Sequence, residues 1–253
     1  MQLFEPDIIL TVLAVALIFV LGGITKGALG FGLPLMTMAM LPFVIPVQAA
    51  LAINAVVLPL TNVIQFVQAR QMAPTIRRFY PVLAGVVVGV PLGAALVSVV
   101  SENALTAALG GFVVFFSVLS LAMPQLELPA ARERSIGSWV GLVAGIVGAL
   151  TTVNGPFFVM YLLGLRAERT LFLSAISLFF IVSGALIAGA FWLAGLFDQT
   201  RLALATVSLL AAMLGMYLGN RLAAQIPARQ FRVMVLVVLC VLGLNLLWRG
   251  LNS

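Results

Sequence analysis

Two short stretches interrupt an otherwise apolar chain with glycine, threonine, asparagine and proline. They are Gly27-Ala28-Leu29-Gly30-Phe31-Gly32-Leu33-Pro34 and Thr151-Thr152-Val153-Asn154-Gly155-Pro156. Proline suits the first position of a helix. A helix starting near Pro34 or Pro156 leaves its first N–H groups unpaired and carrying partial positive charge. Glycine lets an anion approach such backbone closely. The chemistry on offer is therefore the binding of a small anion by N–H groups at residues 30–34 and 152–156. The backbones of Gly30, Gly32, Leu33 and Gly155 would supply part of that cradle. The side chains placed to join it are Lys26, Asn54, Asn62, Thr151, Thr152 and Asn154.

Each candidate has a plainer reading beside the functional one. The glycines also permit tight helix packing. Lys26, the chain's only lysine, either pairs with an anion or extends its ammonium to lipid headgroups. Asn54 and Asn62 stand eight apart, near one helical face. Their amides donate to an anion or bond a neighbouring helix. Thr61, Gln65 and Gln68 in the same segment, and Ser174, Ser177 and Ser183 in its counterpart, form with them a set expected to line the space facing the interruptions. Gly85-x3-Gly89-x3-Gly93 and Gly215-x3-Gly219 read as close-packing faces.

What is missing narrows the chemistry. There is no histidine, and the seven acids (Glu5, Asp7, Glu102, Glu127, Glu133, Glu168, Asp198) lie in loops or at segment ends. Ser–His hydrolysis and His-ligated metal catalysis are thus excluded, and no carboxylate stands where it would relay protons. The single cysteine, Cys240, excludes an internal disulfide and a multi-cysteine metal site. No enzyme and no cofactor is expected.

The elements that position these groups follow from composition. Of 253 residues, 63% are hydrophobic and 8% charged, with mean hydropathy +1.24. Soluble domains carry about 25% charged residues, so the fitting solvent is a lipid bilayer. The net charge of +6 comes from basic residues scattered singly, as topology determinants are, and not from a clustered nucleic-acid face. Met1 to Asp7 lacks the basic residues of a signal peptide, so the first apolar run is expected to remain as a helix. Long apolar runs fall at 8–28, 46–69, 79–100, 104–123, 136–152, 171–196, 202–223 and 231–249. Each is long enough to span. The short runs 34–42 and 155–164 follow the two interruptions.

The interruptions occupy matching places in two halves. Pro156 stands 122 residues after Pro34, and at that offset Gly23-Ile24 falls on Gly145-Ile146. Further on, Gly89-Val90-Pro91-Leu92-Gly93 matches Gly215-Met216-Tyr217-Leu218-Gly219 at an offset of 126. The expected organisation is a first repeat over 1–123, a linker over 124–135 and a second repeat over 136–253. If only eight segments cross and the short runs are re-entrant, alternating loops sort the basic residues seven against six. If the short runs also cross, eleven fall on one side, with only Arg201 and Arg249 opposite. Such a bias orients membrane proteins with the basic side inside. The favoured fold is an all-α polytopic membrane protein with two inverted repeats. It has eight full spans plus two short broken segments, ten in all, with both termini outside.

The stretch from Gly22 to Pro34, together with Gly145-Ile146-Val147-Gly148 and Asn154-Gly155-Pro156, resembles the repeats of the sulfite exporter TauE/SafE family, also called the toluenesulfonate uptake permeases. The layout matches over nearly the whole chain. Thr151-Thr152 departs from the glycine-rich sequence often found there. The resemblance implies a multi-pass permease of the bacterial cytoplasmic (inner) membrane, moving sulfite, sulfoacetate or other organosulfonates. The expected partners are a small anionic substrate and the lipid bilayer, with no nucleic acid. The oligomeric state is left open. The alternatives are a permease for another small anion, such as a carboxylate, and a non-transporting assembly or accessory subunit.

Overall fold

The computed structural model describes residues 6–97, 99–122, 128–222 and 228–252. The described residues form ten α-helices and no strand. In chain order they are α1 (Pro6–Leu29), α2 (Leu33–Met40), α3 (Val47–Gln68), α4 (Met72–Val97) and α5 (Glu102–Ala122). The second set is α6 (Glu133–Thr151), α7 (Gly155–Gly164), α8 (Arg169–Leu193), α9 (Gln199–Leu222) and α10 (Ala228–Asn252). Eight are long and apolar enough to cross a bilayer, and α2 and α7 are the short ones. Helix α4 begins seven residues before its apolar run, and the added turns carry the exposed Arg77 and Arg78. Residues 124–127 of the expected linker lie outside the described residues, as do position 123 and the chain before Pro6.

The repeat is visible in how helices pair. In the first half α1 packs on α9, and in the second α6 packs on α4. Both pairs are glycine seams of parallel helices. A Cβ on Gly23 would meet Gly215 and Met216, and one on Gly27 would meet Asn220 further along. In the other seam a Cβ on Gly85 would meet Gly141, and one on Gly93 would meet Ile146 and Ala149. The backbones touch because nothing larger than hydrogen separates them, which is how helices associate without a hydrophobic drive. The glycine patterns at 85, 89, 93, 215 and 219 are therefore packing faces.

The remaining pairs fix the direction of the repeat. Helix α3 packs on its own counterpart α8, and α5 on its counterpart α10. Pro59 lies against Gly184, while Gln65 and Leu173 both meet Gly30, so numbering rises in α3 as it falls in α8. Likewise Ala107 meets Gly250 and Val113 meets Gly243, so α5 and α10 run antiparallel. Equivalent helices that pack antiparallel are related by an axis in the membrane plane. The halves are inverted, and since Lys26 meets Asn62 and Gly30 meets Gln65, α1 and α3 run the same way and the chain returns between them through α2.

This topology sorts charge. Arg70 follows α3, Arg77 and Arg78 start α4, Arg132 and Arg134 flank the start of α6, and Arg221 ends α9. All lie at one end, with Arg166 and Arg169 before and at the start of α8. There Arg78 binds Glu133 through Nε at 2.7 Å and Nη2 at 3.1 Å. At the opposite end Arg249 stands over the Phe43 ring, 5.1 Å from its centroid, and Arg201 pairs with Asp198.

Candidate functional site: a cavity at the first helix interruption

Helix α1 stops at Leu29, and the chain reverses through Gly30 (φ 84°) and Gly32 (φ 101°) before α2 begins. Both angles lie in the left-handed region that L side chains avoid. The repeat places Thr152 at the position of Gly30, and Thr152 keeps the left-handed backbone at φ 55°. The same correspondence holds after the next long helix, where Arg70 (φ 53°) matches Gly195 (φ 70°). Neither α2 nor α7 has a side-chain cap on its N-terminus, although both carry proline there. Gly155, the first residue of α7, packs against Phe180, the twelfth residue of α8, so α7 begins about halfway through the bundle.

A cavity of about 650 Å³ lies between the C-terminal ends of α1, α3 and α9 and the N-terminal end of α8. It opens at the arginine-rich end, where Gln68, Arg169 and Asn220 form its mouth. Thr61, Gln65 and Phe172 line its wall, and Lys26 and Gly30 stand at its head. No acid lines it. A lysine and an arginine in a concave, acid-free site raise the local concentration of anions.

Lys26 is buried, and its ammonium donates to Asn62 Oδ1 at 2.5 Å. Asn62 is held in turn by its Nδ2 donating to Leu58 O at 2.7 Å. The ammonium also stands 5.7 Å from the centroid of Phe180. It points into the protein and does not reach for headgroups. Gln65 Nε2 donates to Gly30 O at 3.2 Å, tying the first turn to α3.

The other expected site residues separate into two groups. Asn54 is engaged by α2 and its own helix. Its Oδ1 accepts from Thr37 at 2.7 Å, and its Nδ2 reaches Ala50 O and Met38 Sδ. It therefore anchors α2 away from the cavity. Leu33 is buried at the start of α2. At the second interruption Thr151 Oγ1 donates to Val147 O and accepts from Val153 N, while Thr152 Oγ1 donates to Thr151 O. Asn154, buried beside Gly148, has no partner for either side-chain atom. The first interruption thus borders the cavity and the second is sealed.

Of the polar set expected to face the interruptions, Thr61, Gln65 and Gln68 line the cavity from one helical face. Arg169 was counted only as a topology charge. Phe180 carries no signal in an apolar helix.

The family model of the sulfite exporter TauE/SafE matches residues 15–246. The chain belongs to that family. Its members are transporters, which agrees with the polytopic fold. No curated protein and no solved structure matches the chain.

Proposed function

We propose that the protein is a permease for small sulfur-containing anions, sulfite or organosulfonates, which it binds between its inverted repeats. The observation that carries this reading is the buried Lys26 ammonium at the head of an acid-free cavity. A buried cation in a membrane protein is costly unless it is paired, and Asn62 offers it a neutral acceptor only. An anion entering from the arginine-rich end would complete it. Backbone N–H groups at the turn 30–34 would add to the binding, as would those at 152–156 once the second interruption opens. We place the arginine-rich end in the bacterial cytoplasm, following the distribution of basic residues. The structure then corresponds to an inward-open arrangement.

Flux of sulfite and of sulfonates into liposomes holding the purified protein tests the reading. Wild-type protein is expected to pass them, and Gly32→Val to abolish flux while the variant still inserts and folds. At Gly32 the backbone sits at φ 101°, and an added Cβ would lie 3.0 Å from Thr25 Cγ2. A thermal-shift series with sulfite, sulfate, sulfonates and carboxylates ranks the anion class, since at equal concentration the tighter ligand stabilises more. Ranking led by carboxylates would replace the sulfur-anion reading. Absence of any flux would overturn the permease.

A further inference from the structure

Lys26 has no counterpart in the second repeat, where the offset that aligns Pro34 with Pro156 falls on Gly148. The space beside Gly148 is filled by Asn154, whose Nδ2 lies 2.7 Å from the place a Gly148 Cβ would take. Each half therefore sends one nitrogen donor towards the middle, but from a different element. In the first half it is an ammonium on α1, and in the second an amide at the start of α7.

The amide is fully buried, and neither Nδ2 nor Oδ1 has a hydrogen-bond partner. Such orphaned polar groups are rare and call for an explanation. The Ser177 and Ser183 hydroxyls are also buried and unpartnered. They stand three residues before and after Phe180, so all three share one face of α8. The Phe180 ring is wedged at this place. Its Cζ is 3.0 Å from the position of a Cβ on Gly155, and its centroid is 5.7 Å from Lys26 Nζ. One side of the ring faces the head of the cavity, and its edge abuts the uncapped start of α7.

We propose that Asn154, the α7 N-terminus and the Ser183 hydroxyl form a second oxyanion subsite, and that the Phe180 ring is the partition separating it from Lys26. The proposal rests on the permease reading and adds a pathway to it. An oxyanion leaving Lys26 displaces the ring and exchanges one donor set for another. The orphaned Asn154 Nδ2 and Ser183 hydroxyl, both donors, acquire an acceptor only when that anion arrives. The ring also limits what passes, so small pyramidal or tetrahedral oxyanions cross more readily than bulky sulfonates.

The test uses Ser183→Cys in a Cys240→Ser background and a sulfonate-bearing thiol reagent applied from the arginine-rich side. With Phe180 present, labelling at 183 is expected to be slow. Phe180→Ala in the same protein should raise the rate by an order of magnitude or more, and sulfate, an oxyanion that does not react with thiol reagents, should slow it again. Equal labelling rates with and without the ring would overturn the partition. Asn154→Asp tests the subsite. It is expected to lose most sulfite flux while keeping the sulfite-induced thermal shift that Lys26 supplies, and wild-type flux in Asn154→Asp would overturn it. Labelling does not depend on sulfite being the substrate. Silent wild-type liposomes would thus defeat the permease reading, whereas unchanged labelling would defeat the partition alone.

Discussion

The Lys26 ammonium and the Asn62 carbonyl meet at 2.5 Å although they are 36 positions apart in the chain. The bond ties α1 to α3 and holds the only lysine inside the protein, because the amide is fixed by Leu58 O from below. Two variants separate its roles. Asn62→Leu removes the acceptor and leaves a buried charge unpaired. It is expected to destabilise the protein by about 2 kcal/mol, the scale of a lost hydrogen bond to a charged group. Asn62→Asp instead gives Lys26 a carboxylate, so stability should hold while sulfite loses its attraction. A thermal-shift titration checks both. Asn62→Asp with the wild-type response to sulfite would show that Lys26 does not meet the anion.

The glycine seams predict a sharp contrast between positions. A Cβ on Gly145 would lie 2.9 Å from Val90 N and 3.0 Å from Gly89 Cα, with backbone on both sides of the seam. Gly145→Ile must therefore push α6 away from α4 or unseat it. Gly189 on α8 meets nothing within 4 Å of an added Cβ. Gly189→Ala should be neutral or slightly stabilising, by up to about 1 kcal/mol from helix propensity. Expression and melting temperature in detergent distinguish them. Comparable losses from both substitutions would mean that the seams do not hold the bundle together.

Much of this architecture was legible because a bilayer simplifies the code. Apolar runs must be helices, so the eight long spans and the two short segments could be located from hydropathy alone. The inversion was legible through Arg201 and Arg249, which the ten-segment arrangement isolates and the eight-segment one does not. The antiparallel contacts of Pro59 with Gly184 and Ala107 with Gly250 now show the same inversion directly. The site was less legible. Asn54 and Asn62 share a helical face and a residue type, yet one clasps α2 and the other Lys26. That difference depends on which helix each amide meets, and sequence spacing does not encode it. Phe180 is invisible for a related reason, since aromatic residues in lipid-soluble helices serve packing almost everywhere.

Topology gives the next prediction. Val44 stands in the turn between α2 and α3, and that turn meets Arg249 at the end of α10 through Phe43. Glu168 is exposed at the start of α8, at the arginine-rich end. In a Cys240→Ser background, Val44→Cys should react with a membrane-impermeant thiol reagent only from the periplasmic side. Glu168→Cys should react only from the cytoplasmic side. Labelling of both from one side would restore the eight-crossing arrangement, in which the short segments turn back.

The turn after α6 holds a residue ill-suited to it. Thr152 is β-branched and sits at φ 55°, where its counterpart in the first repeat is Gly30 at φ 84°. A left-handed conformation costs an L residue about 1–2 kcal/mol, and β-branching makes the fit worse. Thr152 recovers part of this through its hydroxyl, which donates to Thr151 O at 2.8 Å. Thr152→Gly should relieve the strain and raise stability by about 1 kcal/mol, seen as a higher melting temperature. The reverse change, Gly30→Thr, should cost more. Its added Cβ would also press within 2.6 Å of Leu173 Cδ2, beside the cavity. If Thr152→Gly stabilises the fold but slows sulfite flux, the strain at Thr152 serves the opening of the second interruption. If it stabilises the fold and leaves flux unchanged, the strain is only a remnant of the repeat's departure from glycine.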